Sequence, residues 1–271
     1  VYDSIAEEFS STRHSPWPGV VQFLQDQPNG AFGADIGCGN GKYLLAAVER
    51  SSSELNDRKK TVRLAPVLAL DRSVRLTQIV RERGFDVVVG DVMRLPYQAG
   101  RLDFFLCVAV IHHLSTNGRR LEAIQELARL LRPGGTGLIQ VWSKEQHDPA
   151  SAEPSPYIRK NKGRIAHSDI SQVILEPVND VRLPLHVSGT EFAASDMLVP
   201  WKPKISKASS IRGKKKSVEE SVAPVTGRYY HLFVQGELES LIALVPSLRL
   251  LHAYYERGNW AVVVMKLELN K

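Results

Sequence analysis

Nothing in this 271-residue chain approaches the ~20 consecutive apolar residues of a membrane-spanning helix. No secretory leader pattern stands at its start, where Val1 occupies the place of a methionine. The expectation is a protein away from the membrane. Cysteine is scarce: Cys38 sits in a glycine-rich loop and Cys107 in an apolar run. Two thiols do not make a disulfide framework, and neither has partners at metal-ligand spacing. This points to a reducing compartment, the cytoplasm with the nucleus as a second option, and to no metal site. Internal repeats are absent. Acid is in the minority, with 29 Asp and Glu against 35 Lys and Arg, a net charge of +6. That excess fits nucleic acid or another anionic partner, and equally a soluble protein with one lysine-rich loop.

Against these absences stand 43% hydrophobic residues, enough for one large domain with a sizeable core. Tyr2, Ile5, Ala6 and Phe9 recur at helical spacing, and a second helix carries Val20, Val21, Phe23 and Leu24. A strand at 32–37 then leads through a glycine loop into a helix over 41–50. Residues 51–63 are polar and read as a surface excursion. Strand and helix alternate again: "PVLALDR", "SVRLTQIVRERG", "FDVVVGD", a long apolar strand ending in His112 and His113, and a helix closed by Pro133 and Gly134. The strand "TGLIQVWS" follows. Strands that are nearly continuous in apolar residues predict a mostly parallel α/β sheet with helices on both faces. From 144 to 227 the pattern dissolves into Ser, Pro, Lys and Glu, including the acid-free basic run Lys202, Lys204, Lys207, Arg212, Lys214, Lys215 and Lys216. This reads as a partly disordered insertion in a single domain spanning 1–271. Two C-terminal strands joined at Arg257-Gly258-Asn259 predict an antiparallel hairpin completing the sheet.

The densest feature is "FGADIGCGNGKYL" at 32–44. In an open α/β sheet, ligands bind outside the carboxyl ends of the strands, and this loop is such a place. Gly37, Gly39 and Gly41 let a ligand approach the backbone, but Lys42 breaks the dinucleotide spacing G-x-G-x-x-G. Asp35 precedes the loop, Asp71 ends the second strand, and Asp91 ends the third, where Val92 or Met93 would pack on a ring. Each acid alone could be a helix cap. Three at successive strand ends suit a nucleoside with a cationic substituent and disfavour a pyrophosphate, which needs N–H groups and bases.

Taken together, "ADIGCGNG", "LALDRS", "GDVMRLP" and "LLRPGGTGLI" resemble the motifs of class I S-adenosylmethionine-dependent methyltransferases over about residues 30–142. The cofactor contacts this implies are Asp35, Gly37, Gly39, Gly41, Asp71, Arg72, Asp91, Val92 and Val108. Lys42 then simply opens a helix. The flanking segments "VYDSIAEEFSSTRHSPWPGVVQFL", "VAVIHHLST", "MLVPW", "RYYHLFVQGELE" and "ERGNWAVVV" are similar to the eukaryotic tRNA wobble-uridine carboxyl methyltransferases. That resemblance implies methylation of the carboxylate of 5-carboxymethyluridine in the anticodon loop of tRNA. It also implies a heterodimer with a small zinc-binding activator protein.

A carboxylate, with a reference pKa of about 4, is already an anion at neutral pH and needs no base to attack a sulfonium methyl group. Positioning and a dry site remain to be supplied. Arg13 is the candidate clamp, since a guanidinium matches a carboxylate. One of His112 and His113 would face the site, because neighbours on an extended chain point opposite ways, with a lean to His112. Trp17, Trp201, Arg228, Tyr229, Tyr230 and His231 are the further candidates for holding the uridine, by stacking or charge. Each aromatic could equally be a packing residue. Two other readings stay open: a small-molecule methyltransferase of quinone or lipid type, and a methyltransferase fold with altered activity kept as a regulatory partner.

Overall fold

The computed structural model describes residues 1–52, 67–159, 183–201 and 226–268. The lysine run 202–216 and most of the excursion at 51–63 lie outside the described residues. Two helices come first, α1 (Tyr2–Ser10) and α2 (Pro18–Gln25). Pro18 opens α2 at a position whose N–H would have no helical partner. Then follow β1 (Gly33–Ile36), α3 (Lys42–Ser52), β2 (Leu68–Asp71), α4 (Val74–Glu82), β3 (Val87–Val89), β4 (Leu102–Val108), α5 (Asn117–Leu130) and β5 (Leu131–Trp142). Beyond a short α6 (Pro156–Arg159) lie β6 (Asp196–Trp201), β7 (Thr226–His231), α7 (Glu237–Ala243), β8 (Leu248–Tyr255) and β9 (Asn259–Lys266). Side-chain caps start two of the helices. The Ser73 hydroxyl accepts from the Leu76 N–H at the head of α4, and the Thr116 hydroxyl accepts from the Arg119 N–H at the head of α5.

Among the described residues, seven strands form one sheet in the order β3-β2-β1-β4-β5-β9-β8. β1 to β5 pair parallel, and β9 runs against both neighbours, so the expected C-terminal hairpin is present. Alternate residues of β4 feed opposite layers. Phe105 and Cys107 pack with Ile124 and Leu127 of α5, while Phe104 and Leu106 pack with Val20, Phe23 and Leu24 of α2. Each such fully buried side chain stabilises the fold by roughly 1.5–3 kcal/mol. The strand order reverses about β1 and β4, and the crevice at their carboxyl ends is where such sheets hold ligands. No described helix is long and apolar enough to cross a membrane.

The structure departs from the sequence expectation in three places. The strand before the histidines stops at Val108, Ala109 turns to φ 63°, and Ile111–His113 form a 3-10 turn. Pro133 and Gly134 do not close α5. The helix ends at Leu130, Leu131 already faces Leu102, and residues 132–135 loop out before Thr136 pairs with Phe104. Within the stretch read as patternless, Asp196–Trp201 is a strand, paired with β7 in a small antiparallel sheet. Pro200 is tolerated near the end of β6, past the isolated bridge that joins Leu198 to Leu185 on the strand's other side. This small sheet is anchored where β5 ends, since the Phe233 N–H donates to the Trp142 carbonyl at 3.0 Å and the Lys144 N–H to the Phe233 carbonyl at 2.8 Å.

Candidate active site

The glycine loop leaves β1 with Gly37 at φ 80°, and the N–H groups of Gly37 and Cys38 both donate to the Leu70 carbonyl, at 2.7 and 2.9 Å. A side chain on Gly37 would lie 2.2 Å from Val110 Cγ2, so only glycine fits there. The Gly39 N–H donates to Asp71 Oδ2 and the Ser73 N–H to Asp71 Oδ1, both at 2.8 Å. Asp71 thus ties the loop to the head of α4. Burial raises its pKa and the N–H groups pull it back. Its two oxygens retain lone pairs for further donors such as hydroxyls.

Asp35 is 1% exposed, and neither carboxylate oxygen has a partner among the described residues. Burial, with a smaller push from Asp71 and an opposing pull from Lys42, moves its pKa up to about 7. A buried carboxylate left unsatisfied by its own protein calls for a cationic donor from outside. The residues therefore fit the ammonium-bearing end of S-adenosylmethionine. Lys42 does more than open α3. Its Nζ lies over the rings of Tyr43 and Trp17, at 4.6 and 5.8 Å, and burial together with Arg13 lowers its pKa to about 8. Asp91 accepts from the Met93 N–H at 3.0 Å and faces Arg72 at 3.7 Å across exposed surface, where an ion pair adds little. Val92 is buried in the core, whereas Met93 is partly exposed and so is the better placed of the two to meet a ring. Val108 is half-buried at the end of β4.

His112 and His113 do not point apart. On their 3-10 turn the two rings meet edge to face at 4.4 Å. The Trp142 N–H donates to His112 Nδ1 at 3.1 Å, so the ring proton resides on Nε2, which is buried without a partner among the described residues. His113 Nδ1 donates to the Tyr229 carbonyl, and its Nε2 accepts from the Tyr2 hydroxyl, both at 2.8 Å. Burial holds His112 well below the usual histidine range, reinforced by His113 and Arg228. Burial lowers His113 to about 4, against a pull upward from the Tyr229 carbonyl. Both rings are neutral near pH 7.

Strand alternation divides the segment 228–231 in two. Tyr230 packs against both histidines and stacks on Trp142 at 4.6 Å, while the Arg228 guanidinium lies 5.0 Å from the Trp201 ring and 5.2 Å from that of Tyr230. The other face points elsewhere. His231 is held between Asp196 at 3.0 Å and Glu237 at 2.6 Å, with both ring nitrogens engaged, so it braces β6 and α7 in place of offering a stacking face. The Tyr229 hydroxyl is bonded to Asp196 and Ser115. Trp201 donates to Glu8 at 2.8 Å and lies 6.1 Å from Phe9, whose ring also carries the Arg13 guanidinium at 5.6 Å. The Arg13 carbonyl is fixed by Asn40 at 3.0 Å, and no carboxylate pairs with its guanidinium among the described residues. Trp17 precedes α2 and packs on the second core cluster.

α1 links the two halves, because Phe9 approaches Gly39 on one side and Trp201 on the other. Sequence reasoning passed over Tyr2 and Trp142 as site residues. The signal for Trp142 was its place at the carboxyl end of β5, beside the turn that carries the histidines. A separate concavity lined by Gln22, Phe23, Asp103, Thr136 and Tyr254 lies at the amino ends of β4 and β5, away from these groups. No cluster of metal-ligating side chains occurs among the described residues.

Comparison with known proteins bears on this arrangement. A family model described as a methyltransferase domain matches residues 34–139. The chain is 37% identical over 303 residues to the tRNA (carboxymethyluridine(34)-5-O)-methyltransferase ALKBH8 of Macaca fascicularis, covering 98% of this chain and 43% of that protein. It is 35% identical over 272 residues to the tRNA (carboxymethyluridine(34)-5-O)-methyltransferase of Schizosaccharomyces pombe, covering 98% of this chain and 94% of that protein. The chain thus spans less than half the length of the macaque relative and nearly all of the fission yeast one. A solved S-adenosylmethionine-dependent methyltransferase from Clostridium acetobutylicum superposes with a TM-score of 0.57 at 10% identity, covering 98% of this chain and 96% of that one, which speaks to the fold alone.

Proposed function

This chain belongs to the tRNA (carboxymethyluridine(34)-5-O)-methyltransferase family, and on that premise we propose that it methylates the carboxylate of 5-carboxymethyluridine at the wobble position of tRNA, forming the methyl ester. The observation that carries the cofactor half is Asp35, a buried and unpartnered carboxylate beside a glycine loop braced by Asp71. When bound, S-adenosylmethionine supplies an electrophilic methyl group on sulfonium sulfur. Asp35 would meet its ammonium group, Asp71 its ribose hydroxyls and Asp91 its adenine amine.

The residues on the far side of α1 suit an anionic acceptor. One carboxylate oxygen bonds to the methyl carbon as the methyl–sulfur bond breaks, and no proton is transferred. The site therefore needs no general base, and a neutral His112 with its proton on Nε2 acts as a donor that orients the acceptor. Tyr230 and Trp142 form an apolar wall that excludes water, and Arg13 holds the acceptor from the rim.

The partner reading is part of the same proposal. Among the described residues β3 is an edge strand without a further strand partner, and its Val88 and Val89 are each 42% exposed, an apolar edge of the kind a small zinc-binding activator protein would cover. The basic excess suits the anticodon stem-loop, and the cytoplasm, with the nucleus, suits the absence of disulfides. The test is transfer of labelled methyl from S-adenosylmethionine to tRNA carrying 5-carboxymethyluridine, with the chain alone and co-purified with the activator. Transfer to a quinone or lipid alone, or cofactor binding without any transfer, contradicts the proposal.

A further inference from the structure

Arg228 is 6% exposed, and its Nε and Nη1 have no hydrogen-bond partner among the described residues. No carboxylate forms an ion pair with it there. Asp196 and Glu237 are engaged by His231, on the other face of the strand. A guanidinium stays charged at any pH the protein meets, so it cannot relieve this burial by losing a proton. An uncompensated buried charge is among the most costly arrangements a fold can hold. It persists where a ligand supplies the counter-charge.

The chemistry of that ligand follows from the surroundings. Trp201 and Tyr230 lie within cation–π distance of the guanidinium and the Tyr2 hydroxyl interacts with it, which leaves Nε–H and Nη1–H to receive an acceptor. The Tyr230 ring is 4.8 Å from the His112 ring, whose Nε2–H is a second buried donor without a partner. Two orphaned donors therefore flank one tyrosine, at the carboxyl end of the sheet where the methyl donor is expected.

We propose that Arg228, with His112 Nε2–H beside it, is the receptor for the acceptor's carboxylate, and that Arg13 at the half-buried rim contacts the acceptor without reading that group. This rests on the methyl-ester reading above and names the residue that selects the anion. Arg228 would hold one carboxylate oxygen while the other attacks. Because Arg228 touches the acceptor and not the cofactor, its loss should be read in the choice between acceptors.

The experiment compares binding of two anticodon stem-loops in the presence of S-adenosylhomocysteine. One carries 5-carboxymethyluridine and the other 5-carbamoylmethyluridine, its neutral amide. The wild-type protein, with its activator if it requires one, should prefer the carboxylate roughly tenfold or more, the worth of one charged hydrogen bond. Arg228→Gln should bring that ratio to about one, Arg228→Lys should retain part of it, and Arg13→Gln should weaken both stem-loops alike. Unchanged S-adenosylhomocysteine affinity reports that the variants are folded. If Arg228→Gln keeps the full preference in a protein whose wild type methylates, the assignment is overturned and the methyl-ester reading stands. If the wild type neither prefers the carboxylate nor methylates it, both fall.

Discussion

The main-chain N–H of Trp142 donates to His112 Nδ1 at 3.1 Å and so fixes the imidazole proton on Nε2. A donor aimed at an acceptor has no other neutral arrangement here. His112→Ala should lower kcat for methyl transfer by roughly 10- to 100-fold, in the range of a charge-assisted hydrogen bond, with little effect on cofactor affinity. It should also cost about 1 kcal/mol of stability, because the Trp142 N–H loses its acceptor. His112→Gln, which can place an N–H near the same point, should recover part of the rate. Equal kcat in wild type and His112→Ala would remove the histidine from the reaction.

Asp71 accepts from both Gly39 and Ser73, so it shapes the loop as well as meeting the ligand. Asp71→Ala should weaken S-adenosylmethionine binding by at least roughly tenfold, measured by calorimetry, and lower the melting temperature. Asp71→Asn should fall between, since its amide can accept through one oxygen only. Unchanged affinity in Asp71→Ala would misplace the ribose site.

Asp35 makes cofactor binding depend on pH. Its pKa in the free protein is about 7, raised chiefly by burial. A cationic ligand prefers the ionised carboxylate, so binding below pH 7 must release a proton. Affinity for S-adenosylmethionine should therefore rise with pH up to about 7 and level off above it. The binding enthalpy near pH 6 should vary with the ionisation enthalpy of the buffer. Asp35→Asn should flatten both dependences; their persistence in that variant would assign the proton elsewhere.

His113 contributes in the other sense, through folding. Its pKa falls from the ordinary 6.5 to about 4, so the unfolded chain takes up a proton at a pH where the folded chain does not. Stability from this group is intact above about pH 6.5 and is lost as the pH falls toward 4, by about 3 kcal/mol at most. Asp35 opposes it over part of the same window, because its raised pKa makes the folded state the stronger proton binder there. Chemical denaturation of His113→Gln should show a shallower loss between pH 6.5 and 4 than the wild type. An unchanged slope would mean that His113 is not held neutral in the fold.

The parallel sheet, the terminal hairpin and the glycine loop were legible in the sequence because each rests on local signals: apolar strands, Gly258 after a turn, and acids at strand ends. The 3-10 turn at Ile111–His113 was not, since an apolar run such as "FFLCVAVIHHL" reads as unbroken strand, and the break depends on Ala109 adopting a positive φ. β6 was missed because its partner, β7, is remote in sequence and a proline interrupts it. The four residues 228–231 were grouped by proximity in sequence, where the period of two separates Arg228 and Tyr230 from Tyr229 and His231. The burial of Arg228 had no sequence signature, because arginines are ordinarily exposed.

The central claim is that the accepting atom is a carboxylate oxygen of a wobble uridine. Mass spectrometry of nucleosides from an anticodon stem-loop bearing 5-carboxymethyluridine, incubated with the protein and S-adenosylmethionine, tests it most directly. The account predicts one added methyl group on that nucleoside, removed again by mild alkali as an ester must be. An alkali-stable methyl group on the base or ribose, or no methylated nucleoside with the activator present, would contradict it.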